Sequence, residues 1–69
     1  MDAIITINMD NAAFHHRPDL PGWELSRILR LLADNVQEET LELGTSWPLF
    51  DWNGNTVGRF TITEEESNV

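Results

Sequence analysis

Two adjacent histidines, His15-His16, stand between Asp10 and Asp19 and form the first grouping in the chain suited to acid–base or metal chemistry. Imidazole titrates near neutral pH and is a common metal ligand. One ion needs converging side chains, however, and consecutive side chains diverge on an extended backbone. No His pair at i, i+4 and no HExxH-type spacing is present. The pair reads as solvated loop. Nucleophiles are scarce as well, since the chain has no Cys, Lys or Tyr, and Ser26, Ser46 and Ser67 occupy no elbow or triad setting. Asn53-Gly54-Asn55 is too short and too poor in glycine for a phosphate loop. Nothing places two carboxylates in a dry cleft with separated pKa values. The expectation is no enzyme, no cofactor and no metal.

What remains is charge. Twelve Asp and Glu face four Arg, for a net charge of -8. That balance opposes direct contact with nucleic-acid phosphates and with anionic membranes. Solubility alone accounts for such acidity, and an acidic docking surface accounts for it equally. Absence of cysteine suits a reducing compartment. No basic segment precedes an apolar run at the N-terminus, and no run reaches the roughly 18 apolar residues of a membrane span.

These side chains need a scaffold, and 69 residues make one domain. A chain of this size buries only about 60% of its unfolded surface. Ala3 to Met9 is β-branched and reads as a strand, with Ile5, Ile7 and Met9 on one face. Asp10-Asn11 marks a turn, and Ala12 to Pro21 a loop from which Phe14 folds back onto the core. Leu25, Ile28, Leu29, Leu32 and Val36 form the apolar stripe of an amphipathic helix. Asp19 is its expected cap, and it should end between Asn35 and Glu38. Leu41 and Leu43 suggest a short edge strand. Trp47–Trp52 and Thr56–Thr63 flank Asn53-Gly54, which predicts a type I′ hairpin. Residues 1–63 are thus expected to form a single α+β domain of β-α-β-β order, with one helix on a mainly antiparallel three-stranded sheet. Residues 64–69 should be a flexible acidic tail.

Opposite the helix stripe lie Glu24, Arg27, Leu31, Asp34 and Glu38. Asp34 and Glu38 stand one turn apart, about 6 Å along the axis, and two phosphate steps on one DNA strand rise about 6.8 Å. Glu39 and Glu42 extend the negative run past the helix end. Acids there oppose the macrodipole at about 0.3–1 kcal/mol each. The candidate partner-binding surface is therefore Glu24, Asp34, Glu38, Glu39 and Glu42, with Trp47 and Trp52 as candidate aromatic anchors.

The stretches Ile5–Phe14 and Asp51–Gly58, with the helix Glu24–Asp34 between them, resemble small acidic phage and mobile-element proteins of bacteria. That group includes type I-C anti-CRISPR proteins. The resemblance implies a monomer in the host bacterial cytoplasm that binds the Cascade effector at its large Cas8 subunit. It would block target DNA and PAM binding with a DNA-mimicking surface. The alternatives are a small phage structural or assembly protein and an antitoxin-like protein-binding module.

Overall fold

The computed structural model describes residues 1–15 and 17–64. His16 and residues 65–69, and with them half of the His15-His16 pair and most of the expected tail, lie outside the described residues. In chain order come β1 (Asp2–Ile7), a short 3-10 helix (Ala12–His15), α1 (Trp23–Gln37), β2 (Ser46–Phe50) and β3 (Thr56–Thr63). The sheet order is β1-β3-β2, and both pairings are antiparallel. This is an α+β fold of one main helix on a three-stranded antiparallel sheet.

Several boundaries differ from the sequence expectation for local reasons. β1 stops at Ile7 because the Asn8 side-chain oxygen accepts the Asp10 N–H at 2.8 Å and turns the chain. The Asn11 side chain then accepts the Ala13 N–H at 2.9 Å and starts the 3-10 helix, which buries Ala13 and Phe14. Asp19 does not cap α1. It pairs with Arg17 at 3.3 Å, while Gly22 occupies the cap position without a side-chain bond. Thr40 to Gly44 forms no strand, although Gly44 donates to the Ile62 carbonyl at 3.0 Å. The hairpin is present with a different turn. Within this turn Gly54 alone has positive φ (88°), whereas type I′ needs it at two residues. Gly54 N–H closes on the Asp51 carbonyl at 3.0 Å and Asp51 N–H on the Asn55 carbonyl at 2.9 Å, giving a three-residue loop with a left-handed glycine.

Opposed residues of an antiparallel pair share a face. Ala3, Ile5 and Ile7 therefore lie with Ile62, Phe60 and Gly58, and on the other side Trp47 and Leu49 lie with Phe60 and Gly58. A register shift after Leu49 leaves Val57 without an opposite residue and brings it onto the buried side. The core joins Ala13, Phe14, Ile28, Leu32, Leu49, Val57, Phe60 and Ile62, with Ile7, Leu25, Val36 and Trp47 partly buried at its margin. α1 lies chiefly over β2 and the 3-10 helix, which leaves Ile5 of β1 46% exposed.

Leu29 is not a core residue. It is 40% exposed, whereas Ile28 and Leu32 are buried. Leu32→Ala is expected to cost about 2–5 kcal/mol through transfer and cavity terms. Leu29→Ala should change stability by less than about 1 kcal/mol. Urea melts of the two variants give the comparison, and equal losses would contradict this packing.

Candidate functional site

Asp34, Glu38, Glu39 and Glu42 are all exposed. α1 puts Asp34 in its penultimate turn. Its end follows from the Glu38 N–H bonding back to Asn35 (3.1 Å) and the Glu39 N–H to Val36 (3.3 Å). No basic residue stands in that last turn to offset the carbonyl dipoles. A turn fastened by Thr45, whose hydroxyl accepts the Glu42 N–H at 3.1 Å, fixes the last member of the run.

Where the arginines go decides how much of this charge is free. Among the described residues the ion pairs are Arg17–Asp19 at 3.3 Å and Arg27–Glu24 at 2.7 Å. Arg59 donates to the Ser46 hydroxyl at 2.9 Å on the opposite side of the sheet from the core. No ion pair within the described residues reaches Asp34, Glu38, Glu39 or Glu42.

Glu24 does not belong to that surface. It is 1% exposed and grips Arg27 with both oxygens, at 2.7 and 2.8 Å, while accepting the Trp52 N–H at 2.8 Å. Arg27 reaches on to the Phe50 carbonyl at 3.4 Å, so this pair ties the first turn of α1 to the hairpin. The Arg27 bonds hold the Glu24 carboxyl below its ordinary pKa, against burial, with help from the Trp52 amide. The same contact raises Arg27. A signal was present in the spacing: Glu24, Ile28 and Leu32 recur every four residues and are the buried positions of α1.

Asp51 is a second buried acid, 4% exposed, that sequence reasoning did not single out. One of its oxygens accepts the backbone N–H of Asn53 (2.9 Å) and Asn55 (2.8 Å). The other accepts the side-chain amides of Asn11 (2.8 Å) and Asn55 (3.3 Å). The contact with Asn11 joins the turn after β1 to the hairpin. Burial pushes the Asp51 carboxyl up, but the bonds from Asn55, Asn11 and Asn53 outweigh it and hold the pKa below the ordinary value. Within the described residues every buried polar side-chain atom has a partner.

These depressed carboxyls carry a pH prediction. A folded pKa below the unfolded one contributes stability above the unfolded value, near about 4, and that stability is lost as pH falls through the folded value. Thermal melts should therefore change little from pH 7 to about 5 and decline below about pH 4. Asp51→Asn should flatten that acid limb while lowering stability at pH 7. An acid limb as steep as that of the parent would exclude Asp51 as a source.

The two candidate anchors separate. Trp47 is half-buried and lies against Phe60, ring centroids 5.1 Å apart, so its indole belongs to the core margin. Trp52 is 48% exposed beside Glu24. Leu31, 52% exposed, divides two shallow apolar grooves. One, about 280 Å³, lies between α1 and β2, with Phe50 and Pro48 in its wall and Glu39 at its rim. The other, about 590 Å³, runs beside Trp23 and Leu20 and is lined by Arg27 and Arg30 as well as Asp34. Charge of both signs thus borders exposed apolar surface, an arrangement suited to a protein partner. Within the described residues no three His, Asp or Glu side chains gather in a way that could hold a metal ion. No described helix is long and apolar enough to cross a membrane. The chain matches no protein-family model, no curated protein and no solved structure, so the case for what it binds stands on its own surface.

Proposed function

We propose that this chain is an anti-CRISPR inhibitor that binds the Cascade effector, at the Cas8 large subunit, and blocks target DNA and PAM binding. The observation that carries the reading is the run Asp34, Glu38, Glu39 and Glu42, exposed and reached by no ion pair within the described residues. A DNA-reading surface holds Arg and Lys that displace counterions from phosphates. A row of fixed carboxylates can engage the same cations, and electrostatic steering speeds its arrival. The apolar surface around Leu31 would then supply the dry contacts that slow dissociation.

The test is competition for DNA. Purified type I-C Cascade is incubated with the protein, and binding of a PAM-bearing duplex is followed at low and high salt. Blocked DNA binding that weakens as salt rises is expected. Normal DNA binding at saturating protein would sink the reading. The double variant Asp34→Lys with Glu38→Lys should lose at least about tenfold in affinity, or about 1.4 kcal/mol. Its stability should stay within about 0.5 kcal/mol of the parent.

A further inference from the structure

The two edges of the sheet are built differently. β2 carries Pro48 at its centre, which removes a backbone donor and discourages strand addition. β1 has no proline and no lysine, and Asp2 is its one charge. Every β1 residue except Ile7 is exposed, Ile4 and Ile5 by 44% and 46%, and the strand's main contacts are with β3. The direction of its backbone groups follows from the ladder. Asn8 N–H bonds the Val57 carbonyl at 2.7 Å, so the even-numbered residues of β1 point at β3. On the other side of β3, Ile62 bonds the β2 flank through the Thr45 carbonyl at 2.9 Å, as the same alternation requires. The N–H and C=O groups of Ala3, Ile5 and Ile7 therefore point outward along an edge that no described strand pairs with.

Charge indicates what would add there. Asp2, opposite Thr63, and Glu64, next along the chain from Thr63, mark one end of the edge, and Asp10 lies just past the other. No ion pair within the described residues reaches any of the three. A second copy, itself at net charge -8, is repelled.

We propose that the β1 edge takes up an extended segment of a basic protein as a fourth strand, antiparallel to β1. Its apolar or Thr side chains lie beside Ile4 and Ile5, and Lys or Arg at its ends meets Asp10 and the Asp2–Glu64 end. Main-chain bonds supply affinity in such strand addition, and flanking charge supplies selectivity. The inference rests on the reading that the partner is a positively charged protein, and adds where its backbone docks.

The test uses a synthetic peptide of alternating valine and threonine between lysine pairs, titrated into the isotope-labelled protein. Backbone amides of Ala3, Ile5 and Ile7 should shift and become slow to exchange. Binding should fall at least about tenfold when the peptide is N-methylated at alternate residues, when its lysines become glutamates, or in the Ile5→Pro protein. Proline at Ile5 removes an outward donor, and circular dichroism checks that this variant folds. The N-methylated peptide gives the same answer with unaltered protein. Shifts confined to the α1 end, equal binding of the glutamate peptide, or a β1-paired dimer of the protein alone would each overturn the inference. Peptide binding that survives Asp34→Lys with Glu38→Lys, beside lost Cascade competition in that variant, separates this edge from the acidic surface. Cascade competition that persists while the peptide ignores β1 sinks the edge alone.

Discussion

Gly58→Ala is expected to cost more than about 3 kcal/mol and to release β1 from the sheet. Gly58 faces Ile7 across the β1–β3 ladder, and β1 passes so close that an added Cβ would overlap the Thr6 carbonyl oxygen. The same Cβ would stand 3.0 Å from the Ile7 Cα. Both obstacles are backbone, so no rotamer change relieves them and the strand itself must move. Overpacked cores usually lose about 1–3 kcal/mol, and a clash with main chain belongs at or above that limit. A domain this small rarely has more than about 3–5 kcal/mol to lose. Hydrogen exchange should show β1 amides unprotected while the β2–β3 hairpin keeps partial protection. A variant melting within a few degrees of the parent would mean that β1 does not approach Gly58 this closely.

Glu24→Ala is expected to destabilise the domain by about 2–4 kcal/mol. The change leaves the Arg27 guanidinium, only 28% exposed, without its carboxylate, and removes the acceptor of the Trp52 N–H. Breaking a buried pair from one side costs about 3–5 kcal/mol, and the partial exposure of Arg27 lowers the figure. Glu24→Gln keeps an acceptor for Trp52 and should lose less. A double-mutant cycle with Arg27→Met should return a coupling of roughly 1–3 kcal/mol. Independent losses would show that the pair is incidental. Glu24→Lys would be a misleading probe of partner binding, because it attacks the fold.

Which features could be read from the residues follows a physical division. The element order, the helix from its apolar stripe, Phe14 as a core residue and the hairpin position were legible, because periodicity and turn residues act locally. The roles of Glu24 and Asp51 were not. Their partners, Trp52 for Glu24 and Asn11 for Asp51, come from distant segments, and the sequence reading puts Glu24 on the face opposite the stripe although its spacing to Ile28 and Leu32 puts it on the buried one. Leu29 shows the reverse. Its type and spacing fit the stripe, but α1 lies over β2 and turns that residue toward solvent. The cap at Asp19 failed because α1 begins only at Trp23, after turns closed by Leu20 N–H on the Arg17 carbonyl and Trp23 N–H on the Leu20 carbonyl. The exposure of Asp34, Glu38, Glu39 and Glu42 was readable from sequence. That two of the arginines pair with Asp19 and Glu24, and none with these four acids among the described residues, required coordinates.

The middle strand of the sheet is the last of the three along the chain, and this sets a timetable for synthesis. Roughly fifty residues separate β1 from β3, and a ribosome adding about 5–20 residues per second takes roughly 2–10 s to deliver them. Throughout that interval the isoleucine-rich first strand has been made without its mate, and β2 offers no substitute because the two do not pair. Folding must therefore wait for Thr56–Thr63, and a nascent chain stalled before that segment should remain open to chaperones and proteases.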